Sequence, residues 1–184
     1  MSDSPYWNPK TETMPREGLR RLQGRKLKAL VARAHDRSPF HRRLLDQAKV
    51  KPERIRSLDD LKRLPFTTRE AWMECQGQVP MFGDMLAQPV DDAVRYHMTS
   101  GTTGRRPLRV LDSRFDWKWI AECWCYGFHA FGVRPRDRVF FAFSYATFIG
   151  FWGAHYACEK LGAMVLPSGN MTTPNRVRVI EELG

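Results

Sequence analysis

The chain has 184 residues, 42% hydrophobic and 27% charged; this is enough apolar material for a core in one domain or one piece of a larger domain, and it excludes a disordered or collagen-like chain. Lysine and arginine number 30 against 20 acidic residues, and most of the +10 excess lies in residues 1–70, which hold 18 basic and 9 acidic groups. Such a segment attracts nucleic acid, acidic lipid or a polyanionic small molecule such as a nucleotide, and its sign does not choose among them.

From the N-terminus, Met-Ser-Asp-Ser-Pro-Tyr-Trp lacks the apolar core of a secretory signal, and four cysteines are few for the length, so a reducing cytoplasm is expected. Residues 16–75 read as helices. Leu19, Leu22, Leu27, Leu30, Val31 and Ala34 recur at helical spacing, with Pro15 suited to a first-turn position. Arg20, Arg21, Arg25, Lys28 and Arg33 fall largely off that stripe and read as a solvated face. Ser38 before Pro39 starts a second helix, Ser57 a third and Thr68 a fourth that runs to Cys75.

After residue 76 the texture changes. Val94, Tyr96 and Met98 alternate with Arg95, His97 and Thr99 as in a strand, and after a polar glycine loop residues 108–111 read as a second strand. Ser113 caps a helix from Arg114 to about Phe131, closed by Gly132 and Pro135. Cys123 and Cys125 lie two apart on it and point to different faces, which excludes a shared metal or a disulfide between them. Residues 139–158 carry no formal charge and have the length of a membrane span. Their aromatic and polar content and their glycines divide them instead into a strand at 139–143 and a helix at 150–161 ended by Gly162, with another strand at 163–166 closed by Pro167. An amphipathic helix over 173–183 follows, with Gly184 at its C-cap position.

The loop Thr99, Ser100, Gly101, Thr102, Thr103, Gly104, Arg105, Arg106, Pro107 carries the chemistry. Two glycines three apart permit close approach of a ligand, four hydroxyl side chains and backbone N–H groups supply donors, and two arginines add charge. A polyphosphate is suited to that combination. It is not a Walker loop, since no Gly-Lys-Ser/Thr follows and the next element is a strand.

On that string the chain resembles the adenylate-forming enzymes, and within them the phenylacetate-CoA ligase group. The likeness also rests on Tyr6-Trp7-Asn8-Pro9 with Glu12-Thr13-Met14, Ser38-Pro39-Phe40, Ser57-Leu58-Asp59-Asp60-Leu61, Leu64-Pro65-Phe66-Thr67-Thr68, and His155-Tyr156 before Glu159-Lys160-Leu161-Gly162-Ala163. The resemblance implies an α/β fold: a helical N-terminal region, residues 1–75, and the start of the nucleotide- and acid-binding large domain, residues 76–184, with an incomplete sheet. It implies that Thr99 to Arg106 hold the β- and γ-phosphates of ATP, although the family has a single basic residue where Arg105 and Arg106 stand. Phe143, Tyr145, Phe148, Gly150 and Trp152 correspond to the pocket for the aryl or acyl end of an acid, whereas core packing would use the same residues. His97 is read as structural, and no catalytic residue is assigned.

The implied reaction is carboxylate plus ATP giving acyl-adenylate and pyrophosphate, then a thioester with CoA, normally with Mg²⁺. The adenine-binding segment, hinge and mobile C-terminal domain of the family have no counterpart in these residues, so the isolated chain is expected to be inactive and to self-associate or require a complementary C-terminal part. Competing readings are a related ligase with another acceptor, a non-catalytic nucleotide- or acid-binding module and, ranked last, a basic nucleic-acid binder. No nucleic-acid or membrane partner is expected.

Overall fold

The computed structural model describes residues 4–79, 81–99 and 106–183, which form two compact units, residues 13–111 and residues 4–12 with 112–183.

In the first unit, helix α2 (Arg16–Arg37) follows the four-residue helix α1 (Pro9–Glu12) of the other unit. Pro15 occupies the N-cap, one residue before the expected first turn. Helix α3 (Pro39–Gln47) starts at Ser38, whose Oγ accepts from the His41 N–H at 3.4 Å and donates to the Met85 carbonyl at 2.8 Å. Val31, Leu45 and Ile55 form the core between these helices, with Leu27, Val50 and Leu64 packed on it. Leu30 departs from the expected stripe and is 64% exposed. A 3-10 segment, Leu58–Arg63, stands where the sequence predicts a third helix, and a shorter one, Pro52–Arg54, precedes it. A capping box closes the start of the longer one: Asp60 accepts from the N–H groups of Arg56 and Ser57, which holds its carboxyl below the ordinary aspartate value. Helix α4 (Arg69–Gln78), capped by Thr68, runs three residues past the expected end.

Strand β1 (Ala93–Met98) pairs with β2 (Arg109–Ser113) in a two-stranded sheet. Its apolar alternation faces outward: Val94 and Tyr96 are exposed while His97 is 3% exposed. The buried face of this strand is therefore the one with the polar residues.

In the second unit, helix α5 (Arg114–Ala130) begins at the predicted cap, with Asp116 accepting from the Ser113 N–H and hydroxyl at 3.0 and 2.6 Å. Strand β3 (Arg138–Phe141), helix α6 (Ile149–Leu161) and strand β4 (Met164–Pro167) form a parallel βαβ unit in the register Arg138 to Met164 through Phe141 to Pro167. Gly162, at φ +88°, ends α6 in the left-handed conformation, as its position in the sequence predicts. Helices α5 and α6 pack closely because Gly153 lies beneath Trp124; a Cβ there would stand 2.8 Å from the indole nitrogen. Trp7 closes one end, donating from Nε1 to Glu122 at 2.9 Å and packing beside Cys125, Ala157 and Leu161. Helix α7 (Thr173–Leu183) ends the described chain.

The strands expected to share one sheet stand, among the described residues, in two separate pairs, β1 with β2 and β3 with β4. The uncharged stretch 139–158 is a strand, a turn and a helix, and no helix among the described residues is long and apolar enough to cross a membrane. Cys125 is buried and Cys123 exposed, as their two-residue spacing on α5 requires, and neither forms a disulfide.

Candidate functional site

The loop that the sequence reading assigns to phosphate joins β1 to β2. Ser100, Gly101, Thr102, Thr103, Gly104 and Arg105 lie outside the described residues, which include both ends of the loop. At its base Thr99 and Leu108 are joined reciprocally: the Thr99 N–H donates to the Leu108 carbonyl at 3.1 Å and the Leu108 N–H donates to Thr99 Oγ1 at 3.0 Å. Leu108 is buried and anchors this stem. One residue on, the Gln76 side chain of α4 accepts from the Arg109 N–H at 3.1 Å and donates to its carbonyl at 2.7 Å. Arg106 is exposed at a small cleft that Gln76, Met73 and Arg109 also line. Gln76 went unnoticed in the sequence because a single amide on a helix carries no pattern. His97, two residues before the loop, is buried in β1.

The aromatic residues proposed for the acid lie in the other unit, in the turn between β3 and α6 and in the first turn of that helix. Tyr145 is buried, its ring 5.0 Å from Trp152 and 5.9 Å from Phe143. Phe143 and Phe148, both partly exposed, meet the ring of Phe151 at 4.3 and 4.8 Å. Gly150 permits this packing, since a Cβ there would come within 2.7 Å of the Phe148 ring. The turn is fixed by Trp152 Nε1, which donates to the Ala146 carbonyl at 2.7 Å, and by the Phe148 N–H, which donates to Tyr145 at 3.1 Å. Ala146 takes φ +44°, an unusual value for a residue with a side chain.

Phe151 and His155 complete the cluster. His155 Nε2 lies 3.2 Å from Glu159 and Nδ1 lies 3.3 Å from the Tyr145 hydroxyl. A carboxylate on Nε2 fixes the ring proton there, leaving Nδ1 to accept from the tyrosine. Burial pushes the Tyr145 hydroxyl up to about 12, so it remains a donor at neutral pH. The four-residue spacing of His155 and Glu159 was visible in the sequence and would have pointed to this pair. Burial also pushes Cys125 and Cys158 up to about 11, which makes them inert packing groups. Among the described residues no three His, Cys, Asp or Glu side chains converge to hold a metal ion.

No family model matches the chain. A phenylacetate-coenzyme A ligase of Thermus thermophilus is 40% identical over 176 residues, which is 96% of this chain and 38% of that protein. The phenylacetate-coenzyme A ligase of Escherichia coli is 34% identical over 93% of this chain and again 38% of its own length. Crystal structures of 2-hydroxyisobutyryl-CoA ligase, in complex with 2-HIB-AMP and CoA, superpose over all of it with TM-scores of 0.89 and 0.90 at 31% and 33% identity. Over nearly its whole length the chain is similar to these acid–CoA ligases. It matches their N-terminal portion and spans about two fifths of the length of these relatives. In this phenylacetate-CoA-ligase-like chain the loop stem and the aromatic cluster stand in different compact units, each internally ordered as described.

Proposed function

We propose that this chain is the N-terminal part of an ATP-dependent acid–CoA ligase that joins an aryl or acyl carboxylate to AMP, releasing pyrophosphate, and then transfers the acyl group to the CoA thiol with release of AMP. The observation that carries this reading is the match of nearly the whole chain, at 40% identity, to a protein named phenylacetate-coenzyme A ligase. In the proposal residues 1–75 are the helical N-terminal region and residues 76–184 the start of the nucleotide- and acid-binding domain. Thr99 to Arg106 form the cradle for the β- and γ-phosphates of ATP. Hydroxyls, N–H groups and arginines suit a polyanion, and the Thr99–Leu108 stem would hold both ends of the cradle. ATP supplies the adenylyl group, and pyrophosphate is the leaving group. Mg²⁺, where it takes part, would be held chiefly by the ATP phosphates and would neutralise their charge.

Phe143, Tyr145, Phe148, Gly150 and Trp152 are proposed to line the acid pocket, with Phe151 behind them. The acid is written as aryl or acyl because the structural neighbours act on an aliphatic hydroxy acid and the sequence relatives on phenylacetate. The remaining active-site groups would come from a complementary C-terminal part, and the four free thiols suit the reducing cytoplasm.

The test is a chimera that continues this chain with the corresponding C-terminal part of the Thermus thermophilus relative. The chimera should form hydroxamate from an acid and ATP while the 184-residue chain alone does not. Replacing Thr102 and Thr103 by Val should lower its rate by about 10²-fold or more. A folded chimera inactive with both phenylacetate and 2-hydroxyisobutyrate, or full activity in the double mutant, would count against the reading.

A further inference from the structure

A cavity of about 340 Å³ opens within residues 13–111, lined by residues between Leu30 and Ala87. Its wall is mostly apolar, with Leu30, Val31, Leu44, Leu64, Pro65 and Met85, and Arg33 and His41 also line it. The volume is at the small end of the range for small-molecule sites and suits a one- or two-ring molecule. Leu30, the one residue of the α2 stripe left exposed, stands beside it.

The polar character of the cavity follows from Ser38. Its hydroxyl is 1% exposed, and its single proton is given to the Met85 carbonyl at 2.8 Å. The 2.9 Å contact between Ser38 Oγ and His41 Nδ1 therefore uses the imidazole proton, so Nδ1–H donates. In the neutral ring Nε2 is then a bare acceptor, and it has no partner among the described residues. Burial lowers the His41 pKa and keeps the ring in that neutral form. In a largely apolar cavity that His41, Arg33 and Thr67 also line, a ligand with a donor can satisfy His41 Nε2, whereas a ligand without one leaves that acceptor without a partner.

We propose that this cavity binds a small uncharged molecule with an aromatic or aliphatic body and one hydroxyl or N–H donor, which meets His41 Nε2. None of the residues that line this cavity is among those proposed for the acid or the phosphates, and the proposal does not depend on the ligase reading.

The experiment is calorimetric titration of the 184-residue chain with phenol, toluene and benzoate at about pH 8, above the ordinary histidine range, with nitrogen NMR of the imidazoles. Phenol should bind saturably and shift the His41 Nε2 resonance, and toluene, the same shape without the donor, should bind about fivefold more weakly. Ala87→Trp, which places an indole in the cavity, should abolish both. In His41→Phe, confirmed folded by circular dichroism, the preference for phenol should disappear while toluene still binds. The proposal is overturned by absence of saturable phenol binding, by equal affinity for toluene, by tighter binding of benzoate, or by phenol binding that survives Ala87→Trp. The last of these decides the matter even where His41→Phe does not fold.

Discussion

Gly83 takes φ +71°, and a Cβ on it would stand 2.6 Å from Cys75 Sγ, with the Cys75 backbone only slightly farther away. Both backbone and space exclude a side chain, so Gly83→Ala should cost about 1–3 kcal/mol in urea unfolding. Beside it, Asp84 accepts two hydrogen bonds from Arg43 and one from the Cys75 thiol. The Arg43 guanidinium holds the Asp84 carboxyl below its ordinary value of 3.8. A carboxyl lowered on folding contributes stability that is fully present above the ordinary value and is lost as pH falls through the folded one. The urea midpoint should therefore drop on acidification below about pH 4, and drop less in Asp84→Asn, as followed by tryptophan fluorescence. The caps were legible at this scale: Ser38, Thr68 and Ser113 each accept from a backbone N–H three residues on, the short-range geometry their side chains favour. The ring nitrogen that His41 leaves bare was not legible, because it depends on Met85, 44 positions away in the chain.

Among the elements, β1 shows how a correct period can hide the orientation of a strand. The alternation of Val94, Tyr96 and Met98 identifies a strand, yet the structure buries the alternate phase with His97 and leaves Val94 and Tyr96 exposed. Alternation reports a pleat of period two and does not say which face meets the core. Two substitutions separate the faces. Val94→Thr should change stability by no more than about 0.5 kcal/mol, whereas His97→Ala should cost about 1–3 kcal/mol, both by denaturant midpoint. Helix α6 was fully legible, from the run of apolar residues to the left-handed Gly162, since all its determinants are local. The packing of Trp7 beside Cys125 was not, because its partners lie more than a hundred residues on. Trp7→Ala should lower stability by about 2–4 kcal/mol and release the Glu122 hydrogen bond, read as a lower melting temperature with unchanged helix content.

Over the whole molecule, the charge is distributed so unevenly that residues 16–63 alone hold sixteen basic and six acidic side chains, matching the net +10 of the entire chain. The apolar side chains left outside, among them Phe66, Phe131, Val177 and Ile180, lie in both units. Among the described residues the sheets have only two strands each, which adds edge surface. The chain by itself should bind a dye that reports apolar surface and should associate in light scattering, whereas a dye-silent monomer with one sharp thermal transition would contradict this expectation. The family likeness was legible because the loop string and the flanking motifs are contiguous words; the pairing of strands was not, because it depends on residues far apart. The bond between Gln76 and Arg109 has a mechanical consequence. By donating to and accepting from one backbone residue, the Gln76 amide behaves as a one-residue strand on the edge of β2, so a helix supplies the rung that another strand would supply. A displacement of α4 along its axis would pull on Arg109 and, through the adjoining Leu108, on the stem that Thr99 closes, so the helix is a tiller for that stem.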